Sequence, residues 1–232
     1  YLILRARNPA PFAAYINCGQ GRAVLSASPE RFLQLKTDGS VVTEPIKGSR
    51  PRGANLEEDQ RLATDLKLSE KDMAENLMIV DLLRNDLSKV CEIGSVMTPS
   101  LFELKSFAEM HHLVSTVTGK LKKCENSISL MKACFPGGSV TGAPKIRAME
   151  IIHELEATRR GPYWGAIGWL GYNGAMDSSI VIRTLIVEKN SIIAQAGGGI
   201  VADSSAKLEY DETLHKVRAL LRCLDPEDHS EL

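Results

Sequence analysis

Cysteine is sparse and unpatterned in this chain. The five residues, Cys18, Cys91, Cys124, Cys134 and Cys223, are odd in number and never form a C-x-x-C pair. That argues against a disulfide framework and a thiolate zinc site, and it fits a reducing compartment, so cytoplasm is the expected location. An excess of one charge is missing too. The 28 Lys and Arg against 29 Asp and Glu leave a net charge of −1, too little to recruit nucleic acid or an anionic membrane. No run approaches the roughly 18 apolar residues of a membrane span. No low-complexity tract, internal repeat or long linker is visible, which predicts one integrated domain over residues 1–232. No signal peptide is legible. The chain opens on a strand-like Tyr1-Leu-Ile-Leu4 without an initiator Met, which suggests a piece trimmed at its N-terminus.

What is present reads as a soluble globular protein, with 44% hydrophobic and 25% charged residues over a length that can bury a sizeable core. Strands are expected at Ala23–Ala27, Phe32–Lys36 and Val41–Glu44, the last two joined by a turn at Asp38-Gly39. Leu56 to Leu87 reads as helix in two pieces, with Ser69 and Asp72 as a capping box and Met73, Leu77, Val80 and Leu83 as an apolar stripe. A strand follows around Val114–Leu121. Pro144 is expected as the first residue of a helix that stops at Gly161-Pro162. Gly165–Tyr172, Ser179–Val187 and Ser191–Ala196 read as β runs, with a Lys189-Asn190 turn before the last, and a helix from about Ser205 to Leu224 closes the chain. This clustering predicts an α+β fold of antiparallel sheets packed face to face, with helices outside, and Tyr163, Trp164, Trp169 and Tyr172 in the core.

Several groups could carry chemistry. Lys47, in TEPIKGSRPRG (43–53), is either a solvated lysine at a strand end or an amine kept partly neutral and used as a nucleophile. Asp72 and Glu75 share a helix face, as do Glu209 and Glu212; each pair is a solvated face or part of an oxygen-ligand site for magnesium. Asp81, Arg84, Asn85 and Asp86 crowd polar groups onto the same helix as the first pair. Gly197-Gly198-Gly199 follows a strand and either nests an anion or merely bulges; it is not G-x-G-x-x-G, and no GKS/T follows. Arg183, placed mid-strand on the face of Val181 and Leu185, needs a carboxylate partner, internal or bound. Glu30 sits at a turn, His111 and His112 point different ways so that at most one handles protons, and the glycine-rich loop with Thr141 opens a helix.

Taken together, SASPERFL, EPIKGSRPRG, KDMAENLMIVDLLRNDL, HHLVSTVTGKL, FPGGSVTGAPKIRAMEII, GAIGWLGYNGAMDSSIVIRT and QAGGGIVADSSAKLEYDET resemble the chorismate-utilising enzymes, in family order from about Ala27 to Lys216. The resemblance implies that Glu75 and Glu212 bind magnesium, with Asp72 and Glu209 supporting them or holding metal-bound water. It implies that Arg183, Gly197–Gly199, Ser49 and Thr141 hold substrate, that Glu30 protonates the departing 4-hydroxyl, and that His112 is the active-site histidine. The family carries alanine at position 47 in anthranilate synthases and lysine in aminodeoxychorismate synthases, so Lys47 places this chain with the second kind. The implied reaction is attack of a low-pKa Lys47 at C2 of chorismate, then amination at C4 with ammonia from a glutaminase partner, in the route to 4-aminobenzoate and folate. Anthranilate synthase component I, an isochorismate synthase and a non-catalytic chorismate-binding fragment are the alternatives. Against the family pattern, Ser49 replaces a threonine, Trp169 a tyrosine, and the N-terminal region is missing.

Overall fold

The structure, a computed structural model, describes residues 1–202 and 204–225. The chain forms helices α1 Leu2–Arg7, α2 Leu56–Leu68, α3 Glu70–Val90, α4 Ser127–Cys134, α5 Lys145–Leu155 and α6 Ala206–Arg222. Its strands are β1 Phe12–Gly19, β2 Arg22–Ser28, β3 Arg31–Leu35, β4 Ser40–Glu44, β5 Ile46–Pro51, β6 Met97–Ser106, β7 Met110–Lys120, β8 Ala166–Leu170, β9 Met176–Ile180, β10 Thr184–Glu188 and β11 Ser191–Ala194. This is an α+β protein with antiparallel sheets, as the clustered pattern predicts. No described helix is long and apolar enough to cross a membrane.

Two compact units emerge, each assembled from discontinuous segments. Because the chain passes between them at Pro29/Glu30, Arg159/Arg160, Ile167/Gly168 and Ser179/Ile180, no linker marks either one in the sequence. One unit holds the sheet β1-β2-β10-β11, with Leu4, Ala27, Leu185, Leu220 and Cys223 buried as its core. The other, Glu30–Arg159 with Gly168–Ser179, is built on the sheet ordered β5-β7-β4-β3-β9-β8, with β6 on the far side of β7. Leu33, Val41, Leu66, Ile79, Leu87, Leu113, Val117 and Leu130 are fully buried within it. Strand β7 organises this unit. Its second half pairs with β4 (Thr43 opposite Val117) and its first half with β5 (Ser49 opposite His112), while β6 runs along its other edge.

Five expectations are corrected. The opening residues are helical, because α1 closes its own backbone bonds and lays Leu4 into the core, whereas β2 already takes β1 and β10 as neighbours. Pro144 caps α5 from outside, with an extended ψ of 133°, and the helix ends at Leu155, before the crossing at Arg159. Ser179–Val187 is two strands, since β9 pairs with β3 and β10 with β2 in different sheets. Arg183 stands in the break at φ 51°, off any strand face. Trp169 and Tyr172 are exposed, at 56% and 114%, not core residues.

Candidate active site

Helix α3 carries the first part of the site, and its phase decides what it presents. Ser69 caps it by accepting from the Asp72 amide, the expected half of a capping box. The buried face runs through Asn76, Ile79, Val80, Leu83, Leu87 and Val90, whereas Leu77, expected in the stripe, is 50% exposed. A polar residue therefore occupies a core position. The Asn76 carboxamide is fully buried and fully bonded: Nδ2 donates to the Lys47 carbonyl (3.3 Å) and the Leu113 carbonyl (3.1 Å), and Oδ1 accepts from Ser115 Oγ (2.5 Å).

Strand β5 breaks register with β7 between Ile46 and Ser49, so Lys47 and Gly48 form a bulge. Gly48 adopts φ +88°, and a Cβ there would stand 2.9 Å from Asp72 Cβ and 3.2 Å from Leu66 Cδ1. Gly48→Ala is therefore expected to destabilise the fold by about 2 kcal/mol, read as a lowered urea midpoint, because alanine is strained at that φ and crowds α3.

The residues expected to do chemistry flank this bulge. Glu30 is buried, and its Oε1 accepts from the Ile46 amide at 3.5 Å, next to half-buried Lys47. Across the ladder, buried His112 is hydrogen bonded through Nδ1 to Ser49 Oγ at 2.6 Å and lies against the Phe107 ring. His111 faces elsewhere, to Ser106 Oγ and Asp59, as the opposite-pointing expectation requires. On α3, Asp72 pairs with Arg50 at 3.0 Å, which also bonds Asp65, so Asp72 is held by the protein itself. Glu75 is mostly buried and lies 3.9 Å from Lys71 Nζ. Thr141 donates its hydroxyl to the Gly137 carbonyl within its own loop.

The remaining predicted residues belong to the other unit. Arg183 donates to the Lys216 carbonyl at 2.9 Å. Glu209 is buried and accepts from Ser204 Oγ at 2.6 Å, and Glu212 is ion-paired with Lys216, whose amine also reaches the Gly197 carbonyl. A Cβ on Gly198 would lie 3.0 Å from Glu209 Oε2 and 3.9 Å from Glu212 Oε1, so only glycine leaves the two carboxylates their space. This all-oxygen pair with a glycine-lined cradle suits a hard divalent cation that keeps several waters. No group of three or more His, Cys, Asp or Glu is gathered for a metal among the described residues.

Charge pairing beside the site sets a pH dependence. Asp59 sits well below the ordinary carboxylate range because Arg52 grips it, with help from the Gly53 amide and His111. Burial pushes Glu44 up, but Lys105 and Arg31 more than offset it, leaving it lowered. Depressed folded-state values mean that the unfolded chain binds more protons as pH falls. The stability from these groups is thus complete above the ordinary range near ~4 and lost below it. Urea midpoints are expected to be level from neutral pH to about 5 and to fall steadily on further acidification.

The sequence pattern, sheet order and motif set define an α+β protein with a lysine, two carboxylates and a histidine gathered on α3, β5 and β7. Residues 1–222 match the family of chorismate binding enzymes, and the chain belongs to that family. It is 53% identical over 222 residues to aminodeoxychorismate synthase component 1 of Klebsiella aerogenes, covering 96% of this chain and 49% of that protein. It is 46% identical to anthranilate synthase component 1 of Thermus thermophilus, covering 97% of this chain and 48% of that one. The crystal structure of anthranilate synthase component I from Streptococcus pneumoniae superposes with a TM-score of 0.84 at 42% identity, over 94% of this chain and 48% of that chain. The chain thus spans about half the length of these relatives. Asn76 and Arg50 escaped the sequence reading. Projecting the Ile79-Leu83-Leu87 spacing back one turn would have found Asn76, but nothing local marks Arg50.

Proposed function

We propose that this chain is the lysine-bearing catalytic portion of an aminodeoxychorismate synthase component 1, aminating chorismate at C4. The observation that carries the reading is the grouping around one bulge: Lys47 on β5, the Glu30 carboxylate on the adjoining Ile46 amide, and His112 on Ser49. The name of a relative at about half identity supports it, and by the family resemblance a lysine at position 47 favours it over the anthranilate reading.

In the first step the neutral Lys47 amine forms a bond to C2, the ring double bonds shift, and the C4–O bond breaks. Glu30 gives the departing hydroxyl a proton, so that it leaves as water. Ammonia then bonds to C4, the double bonds shift back, and the C2–Nζ bond breaks to return Lys47. The sum is chorismate plus ammonia to 4-amino-4-deoxychorismate plus water. Glu30 is buried and Lys47 half-buried beside the same bulge, which keeps bulk water from the two groups assigned these roles. His112, oriented by Ser49, is the proton handler near the same strand. Arg183, Gly197–Gly199, Ser49 and Thr141 hold the substrate. Glu75 and Glu212, supported by Glu209 and Asp72, would hold magnesium, which when bound supplies positive charge against the substrate's ring carboxylate. Ammonia comes from a glutaminase subunit, and the cytoplasm is the site of action.

The test is incubation with chorismate, magnesium and ammonium. A product converted to 4-aminobenzoate only after an aminodeoxychorismate lyase is added supports the reading. Fluorescent anthranilate, or isochorismate formed without ammonia, overturns it. Chelation with EDTA is expected to stop turnover and added magnesium to restore it.

A further inference from the structure

We infer that Asn76 is a positioning residue for Lys47, holding open the β5 bulge that aims the amine; the inference rests on the reading of Lys47 as nucleophile. A bulge takes backbone groups off the ladder and re-aims the side chains it carries. Here the ladder is intact on either side, where Ser115 N donates to the Pro45 carbonyl and Ser49 stands opposite His112. Between these points the Lys47 carbonyl is taken up by a side chain from another element. Asn76 Nδ2 bonds it at 3.3 Å and bonds the Leu113 carbonyl of β7 at 3.1 Å, so one amide ties both strands to α3.

The amide cannot turn over without loss. Ser115 Oγ gives its proton to Asn76 Oδ1 at 2.5 Å and accepts from the Phe102 amide at 3.1 Å, which fixes which end of the carboxamide faces the carbonyls. Asn76 and Ser115 are both 0% exposed, so no water replaces either bond. Gly48 completes the device. Its positive φ reverses the strand against α3, where Asp72, one turn before Asn76, packs beside it. An apolar residue at position 76 would fill the core as the rest of the stripe does. It would leave the Lys47 carbonyl without this donor and the bulge free to slip into regular pairing, which would turn the lysine to another face.

The test compares the unaltered chain with Asn76→Ala and Ser115→Ala. Each lysine's rate of acetylation by an acetic anhydride pulse is read from peptide masses across pH, with exposed Lys123 as the internal reference. In Asn76→Ala the Lys47 profile is expected to converge on that of Lys123. Amination kcat is expected to fall by about 10²-fold while KM for chorismate stays within about twofold, the split that misplacement of a reacting group produces. Should Asn76→Ala fail to fold, Ser115→Ala decides, because it keeps both Asn76 donations and frees the amide's orientation, while also taking the acceptor from the Phe102 amide on β6; a several-fold fall in kcat and a shifted Lys47 profile are then expected. A Lys47 profile unchanged in a folded variant overturns the inference. If the unaltered chain gives no amination at all, the proposed reaction falls, whereas the acetylation profiles still judge Asn76.

Discussion

Replacing Lys47 by alanine is expected to lower amination of chorismate on the order of a thousandfold or more, because the covalent route ends with the nucleophile. Binding is expected to survive. The proposed magnesium and carboxylate contacts are assigned to Glu75, Glu212, Arg183 and the glycine triplet, and the reacting amine to Lys47. Thermal unfolding with and without chorismate and magnesium measures this, since a ligand that binds only the folded state raises the midpoint by mass action. The expected result is an undiminished ligand-induced rise with lost turnover. Lys47→Arg should behave like alanine despite its charge, because a guanidinium does not deprotonate to attack. Mass spectrometry of the unaltered chain after quenching should find a chorismate-derived adduct on Lys47. Undiminished amination in Lys47→Ala would remove this residue from the chemistry.

The largest expected effect on stability comes from Asp86→Ala. Asp86 is 1% exposed near the end of α3, and its carboxylate takes Lys145 Nζ at 2.5 Å and Lys89 Nζ at 2.7 Å. Lys145 also donates to the Cys134 carbonyl at 2.9 Å, so the cluster joins α3, α4 and α5. Removing the carboxylate leaves the mostly buried Lys145 ammonium without its countercharge, which costs about 3 kcal/mol. For a chain of this size, that corresponds to about 6–12 °C in the unfolding midpoint. Adding Lys145→Met to Asp86→Ala should recover more than half of the loss, because the stranded charge is then gone too. A change within about 1 kcal/mol for the single variant would mean that Asp86 is solvated, as its sequence neighbours first suggest.

Asp86 shows where local reading stops. Asp81, Arg84, Asn85 and Asp86 look alike in sequence, and nothing local separates a solvated member from a buried one. The structure keeps Asp81 and Arg84 at the surface and buries Asp86, because only Asp86 lies on the Asn76-Ile79-Leu83-Leu87-Val90 face. The same shift of phase exposes Leu77 and brings in Asn76. A periodicity count over mixed residues tolerates an error of one position, and one position is about 100° of helix. The strand expected through Arg183 failed differently: each half was right about β content, but the halves bond different neighbours, and neighbours lie far away in sequence.

By itself, the sequence determined the α+β class, the extents of β2, β3, β4 and α2, the cap at Ser69, and the family, because hydrophobic alternation, caps and ordered motifs are local properties of the chain. Only the tertiary structure decided that Lys47 sits in a bulge, that Asn76 clamps it, that His112 and not His111 meets Ser49, and that Arg183 turns to a carbonyl. Each of these depends on register between segments far apart along the chain. Register is fixed by the summed packing of whole elements, and no residue carries it alone.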